Sequence, residues 1–134
     1  MQLRVRFAET DQMGIAHHSA YVLWIEVARV EWLRERGMFY REMERSGLSL
    51  AVSSLQLDYR RSAGFDDCIR IDTKMVEAKS RRVRYRYWLY LQPDDAPECL
   101  LASAETMHTP VDRSGRAIRL PPEWLERLQA HIES

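Results

Sequence analysis

The stretch Glu9-Thr10-Asp11-Gln12-Met13-Gly14-Ile15-Ala16-His17-His18 sets one carboxylate, Asp11, and two imidazoles just ahead of a long apolar segment. If that segment is a helix, its first-turn N–H groups lack intrahelical partners and carry partial positive charge, so they can hold a carbonyl oxygen as it becomes an oxyanion. A nearby carboxylate can attack such a carbonyl or activate a water. Asp11 and the helix start together would supply both halves of an acyl transfer. The plainer reading is a turn, since Asp, Gly and His are ordinary loop residues and Asp11 with Gly14 suffices to make one. Metal chemistry has less support, because His17, His18, His108 and His131 show no usual ligand spacing. Nothing in the chain calls for a cofactor.

The elements that would position this stretch follow from periodicity. Leu3, Val5 and Phe7 alternate with Gln2, Arg4 and Arg6, the pattern of a strand with one buried face. From Ser19, a plausible N-cap, to about residue 36 the chain lacks Gly and Pro, and Tyr21, Ile25, Ala28 and Trp32 recur at helical spacing. Val22, Leu23, Trp24, Val27 and Val30 spread apolar surface round most of this helix, which predicts that other structure encloses it. Gly37 is the expected C-cap, and 38–46 is a candidate second helix. The period then changes to two, with strands expected over 51–59, 69–78, 83–91 and 99–109. Short connections at 79–82 and 93–97 favour antiparallel hairpins. The expectation is an α+β fold, a long antiparallel sheet of about five strands wrapped round one helix. An amphipathic turn at Trp124, Leu125 and Leu128 closes the chain.

At 134 residues the whole chain, 1–134, is expected to be a single domain. Twenty basic against twenty acidic side chains leave no formal charge, so no global field favours nucleic acid or an anionic membrane. No stretch has the apolar length of a membrane span, and the N-terminus lacks the apolar run of a signal peptide. Two cysteines, Cys68 and Cys99, suit a reducing compartment, and the chain is expected in the cytoplasm.

The run RFAETDQMGIAHHSAYVLWIEVAR resembles the signature of 4-hydroxybenzoyl-CoA thioesterase-like hotdog proteins, most closely the bacterial cell-envelope-operon type. In these a T-D-x-x-G loop precedes H-x-x-Y and an aromatic-x-E-x-A-R helix. Thr10-Asp11, Gly14, His18, Tyr21, Trp24, Glu26, Ala28 and Arg29 fall in register. A second block, Leu57 to Asp67, is similar to the family's strand followed by a basic residue and a D-D turn. The resemblance implies a hotdog fold and hydrolysis of an acyl- or aryl-CoA thioester. Asp11 would be nucleophile or general base, the His18 backbone N–H would polarise the carbonyl, and the His18 side chain would orient Asp11 or water, or simply cap the helix. Gly14, Tyr21 and Tyr59 would border the substrate, while His17 is expected to be a bystander. Glu26 and Arg29, on an apolar helix, are expected to pair with each other or with neighbours. Phe7 stands where the family often has tyrosine, Ala20 where asparagine is common, and Ser62 where proline is usual.

CoA carries a pyrophosphate and a ribose phosphate, so a neutral protein must bind it through a local cluster of cations. Lys79, Arg81 and Arg82 resemble a family position associated with those phosphates, with Arg61 a weaker candidate. Arg84 and Arg86 alternate with apolar residues and read as a solvated strand face. The resemblance also implies homo-oligomers, dimers or tetramers built as dimers of dimers, with Asp11 facing residues 59–64 of another copy. Trp88, Tyr90 and Leu101 are candidates for cover by a partner. The rival of another class is a non-catalytic acyl or acyl-CoA binding module on the same fold. A hotdog dehydratase would show a different His-containing motif, and a nucleic-acid binder would need a recognised motif beyond one basic strand.

Overall fold

Alternating apolar residues lay down the strands, and their edges are set by turns. In the computed structural model, which describes residues 1–132, β1 (Gln2–Arg4), β2 (Ser49–Tyr59), β3 (Cys68–Lys79), β4 (Arg82–Leu91) and β5 (Cys99–Val111) form a five-stranded antiparallel sheet in the order β1-β3-β4-β5-β2. β1 pairs antiparallel with β3, Leu3 opposite Ile69. Helix α1 (His18–Glu35) lies between β1 and β2 in sequence, followed by α2 (Tyr40–Arg45), while α3 (Pro122–Gln129) follows the last strand. The α+β expectation is met. β4 shows the cause in its plainest form: Val83, Tyr85, Tyr87 and Leu89 are buried, and Arg82, Arg84, Arg86 and Trp88 between them are not.

The chain gathers into two compact units. One comprises Met1–Trp32, Leu57–Thr73 and Tyr87–Ser103. Its core joins Tyr21, Trp24, Ile25 and Ala28 of α1 to Ile69, Leu89 and Leu101 of the strands. Tyr21 meets the edge of the Tyr59 ring at 4.9 Å, and Arg29 donates to the Tyr87 hydroxyl at 3.2 Å. The other unit comprises Leu33–Gln56, Lys74–Arg86 and the residues from Ala104 on. Its core holds Met43 of α2, Met75, Tyr85, and Trp124 and Leu128 of α3. His108, fully buried there, shares a hydrogen bond with the Thr106 hydroxyl at 2.8 Å.

Four details differ from expectation. β1 stops at Arg4, and Phe7 is 76% exposed within a one-turn 3₁₀ helix, Phe7–Glu9, because the Glu9 carboxylate captures the Arg6 N–H that a strand would have used. α1 is not enclosed all round: Leu23 and Val27 are about half exposed, on the face opposite the core. Leu101 is buried by its own chain and is not a surface left for a partner, whereas Trp88 and Tyr90 are half-buried. Glu26 is exposed and, among the described residues, not paired with Arg29, while Arg29 meets the other expected alternative, a neighbour, in the Tyr87 hydroxyl. Among the described residues no helix is long and apolar enough to cross a membrane.

Candidate active site

Backbone pairing ties the loop carrying Asp11 into a closed turn. The Asp11 N–H donates to Ile15 O at 2.9 Å, the Gly14 N–H returns to Asp11 O at 3.0 Å, and Thr10 bridges Ala16. Asp11 Oδ1 accepts the Met13 N–H at 2.8 Å, an Asx turn that orients the carboxylate. Gly14 holds φ +78°, a left-handed conformation that a side chain would strain even though open space surrounds it. The turn reading and the catalytic reading of Asp11 therefore describe one geometry, because the turn presents the half-buried carboxylate.

The loop is stitched on to its surroundings at both ends. Ala16 donates to Ala63 O at 2.7 Å, and Ile15 bridges Gly64. The Asp66-Asp67 turn holds this second segment, with Asp67 Oδ2 accepting the Gly64 N–H at 2.7 Å and Asp66 taking a positive φ that Asp tolerates. Segment 59–64, expected opposite Asp11 from another copy, thus also contacts the Asp11 loop of its own chain.

α1 begins at His18, and its cap is His17 rather than Ser19. The His17 carbonyl accepts the Ala20 N–H at 2.9 Å, while its Nδ1 accepts the Ser19 N–H at 3.2 Å and meets the Ser19 hydroxyl at 2.8 Å. His17, expected to stand outside the chemistry, thus has a structural part at the helix start. The His18 N–H has no partner among the described residues, and the His18 imidazole lies exposed, its ring 4.1 Å from that of His17. The Tyr59 hydroxyl donates to His18 O at 3.0 Å and so fixes the first turn from the β2 side. Tyr21 is 2% exposed, beside Trp24 and Tyr59; burial, then the neighbouring Tyr59, pushes its hydroxyl pKa up. Burial likewise raises Tyr59, so both phenols stay protonated donors at neutral pH.

Glu9 was not singled out by its sequence context, yet it ties Arg6, His17 and Trp24 together at this site. Its side chain is 7% exposed. Oε1 accepts the Arg6 N–H at 2.8 Å, Oε2 accepts the Trp24 indole N–H at 2.8 Å, and the Arg6 guanidinium lies 3.4 Å away. Burial works to raise its pKa, but these donors outweigh burial and hold the carboxyl below its ordinary value. The Glu9 carbonyl also accepts the His17 N–H at 2.7 Å. A signal was present in the sequence: Trp24 on the buried face of a helix needs an acceptor for its indole N–H.

The candidate phosphate ligands stand apart from this description. Lys79 and Arg81, at the β3–β4 turn, are exposed and carry no ion pair among the described residues. Arg82 is bonded to Glu77, and Arg84 and Arg86 are tied to Glu105; Arg86 is exposed, as expected of a solvated strand face, whereas Arg84 is half-buried. Arg61 is exposed, its backbone N–H on Leu101 O at 3.2 Å. Among the described residues no three His, Cys, Asp or Glu side chains group as a metal site. The arrangement offers an oriented carboxylate and, among the described residues, an unpaired helix N–H, which suit attack on a polarised carbonyl.

The family model of the thioesterase-like superfamily matches residues 5–128. A crystal structure of a hypothetical protein, TT1821, from Thermus thermophilus shares 34% identity and a TM-score of 0.87, covering 98% of this chain and 97% of that one. The DHNA-CoA thioesterase of Staphylococcus aureus shares 26% identity and a TM-score of 0.88 over 97% of this chain and 87% of its own. The acyl-CoA thioester hydrolase YbgC of Escherichia coli O6:H1 is 26% identical over 110 residues, 82% of this chain and 79% of that protein.

Proposed function

The chain belongs to the thioesterase-like superfamily and is a thioester hydrolase, and from that premise we propose that it cleaves acyl- or aryl-CoA to the free acid and CoA, using Asp11. The observation that carries the reading is the closed Asp11–Gly14 turn, set just ahead of a helix whose capping His17 is bonded to the Glu9 carbonyl and whose first N–H has no partner among the described residues. The substrate carbonyl oxygen would rest on the His18 N–H, gaining stabilisation as it becomes an oxyanion. Asp11 would then attack the carbonyl carbon, expelling the CoA thiolate and leaving an anhydride for water to open, or take a proton from water that attacks in its place. The His18 imidazole would orient Asp11 or that water, and the Tyr59 bond to His18 O would keep the helix start in place. Gly14 and Tyr21 would shape the substrate border. Lys79 and Arg81, whose charges carry no ion pair among the described residues, would bind CoA phosphates, with Arg82 and Arg61 contributing less.

We read residues 1–134 as one domain working as a homo-oligomer, a dimer or a dimer of dimers, in the cytoplasm. Support for assembly comes from β2, an edge strand of 11 residues whose stretch 51–56 is exposed, with Val52 51% and Leu55 41% accessible. Such an edge invites pairing with a second strand. The free thiols of Cys68 and Cys99 suit a reducing compartment.

The test is hydrolysis of a panel of aryl-, short-chain and long-chain acyl-CoA by wild type and Asp11→Asn, following thiol release. Turnover of at least one member, lost in the variant while its fold persists, is expected. No turnover across the panel would replace the enzyme with a binding module, and activity retained by Asp11→Asn would remove Asp11 from the chemistry.

A further inference from the structure

We propose that Glu9 is a positioning residue: its buried carboxylate clamps the Asp11 loop to α1, and so sets where the catalytic carboxylate stands relative to the helix start. The inference rests on the reading of Asp11 as that carboxylate. Three bonds converge on Glu9 from different parts of the chain. Its Oε2 holds the Trp24 indole, in the second turn of α1, and its Oε1 holds the Arg6 N–H, where the chain leaves β1. Its carbonyl holds the His17 N–H, on the residue that caps α1. Asp11 follows two positions later, inside the turn closed by the Thr10–Ala16 bridge. With the loop anchored before and after it, Asp11 has little freedom except its own side-chain torsions.

The carboxylate suits this role better than an amide would. Both oxygens accept, one from each of two N–H donors that cannot turn away: a backbone amide and an indole. Glutamine at this position would point its NH₂ at one of them, donor against donor, and the loop would shift to relieve the clash. At 7% exposure the side chain has little water to substitute for the lost acceptor. The depressed pKa of Glu9 agrees, since it marks an ionised group that its neighbours favour.

The experiment compares Glu9→Gln, Trp24→Phe and the double variant in steady-state kinetics on a CoA thioester that wild type hydrolyses, and follows amide exchange of wild type and Glu9→Gln by mass spectrometry. Misplacing a catalytic group by about 1 Å costs on the order of 100-fold. Glu9→Gln should therefore lose about 10- to 100-fold in kcat with KM within about threefold of wild type. The double variant should be faster than Glu9→Gln, because phenylalanine removes the donor that the glutamine NH₂ opposes; loss of fold stability alone would make it slower. Exchange in Glu9→Gln should rise over residues 10–17 and stay unchanged in β3 and β4. The inference is overturned by exchange over 10–17 equal to wild type, by kcat within about twofold of wild type, or by a double variant no faster than the single. Activity retained in Asp11→Asn would sink the reading of Asp11 instead, and the exchange data would still judge the clamp.

Discussion

Arg29 should be a burden that the fold carries. It lies on the core side of α1 at 9% exposure, and among the described residues its hydrogen bond runs to the neutral Tyr87 hydroxyl at 3.2 Å. A desolvated ion costs several kcal/mol even after relaxation, and a bond to a neutral acceptor returns about 1 kcal/mol. Arg29→Met keeps the length of the apolar stem and removes the charge, at the loss of that bond. The single variant should be neutral to about 1 kcal/mol more stable. In the Tyr87→Phe background, where Arg29 has already lost that acceptor, the same Arg29→Met change should gain about 1–3 kcal/mol over Tyr87→Phe alone. For a chain of this size that is a rise of about 3–10 °C in Tm. Thermal unfolding of wild type, both singles and the double, followed by circular dichroism or calorimetry at fixed protein concentration, completes the cycle. Coupling between the two positions should be about 1 kcal/mol. A fall of about 5 °C or more in Arg29→Met would refute the reasoning: the guanidinium would then be a charge the native state requires, with a partner beyond Tyr87.

Two further outcomes follow from the site. Replacing Lys79 and Arg81 together by serine should raise KM for CoA thioesters about 10-fold with little change in kcat; the same rise for a thioester lacking the nucleotide would remove both residues from phosphate binding. The depressed pKa of Glu9 also has a sign that can be checked. A carboxyl whose folded pKa lies below its ordinary 4.5 adds stability that is complete above that value and is lost as pH falls through the folded value. The Tm difference between wild type and Glu9→Gln should thus be constant above about pH 5 and shrink below it; a difference that grows in acid would contradict the assignment.

The sheet was legible because burial on one face imposes a period of two, which β4 keeps from Arg82 to Leu89 and β5 from Ala102 to Val111, while β3 shifts phase between Met75 and Ala78. The Asp11 loop was legible through its residue types and its family resemblance together. The misreadings share one cause, which is a polar side chain taking a backbone or ring partner far from its apparent role. Phe7 fits an alternating strand until the Glu9 carboxylate takes the Arg6 N–H. Ser19 is a good cap by type, yet the helix begins at His18, and His17, two residues before Ser19, accepts the Ser19 N–H on its ring nitrogen. Glu26 and Arg29 have helical spacing suited to a pair, but α1 is rotated so that one faces water and the other the core. Periodicity cannot report such choices, since they depend on which groups from distant segments arrive at the same place.

The strand order also governs how the chain is made. β2 sits at the edge beside β5, the strand synthesised last, and forty positions separate Tyr59 from Cys99. At ribosomal speeds of roughly 5–20 residues per second, β2 therefore waits about 2–8 s with neither edge paired. Residues 49–57 contain no charged side chain to discourage stray pairing during that delay. Nascent chains on neighbouring ribosomes of one message would present this strand to each other before either could complete its own sheet.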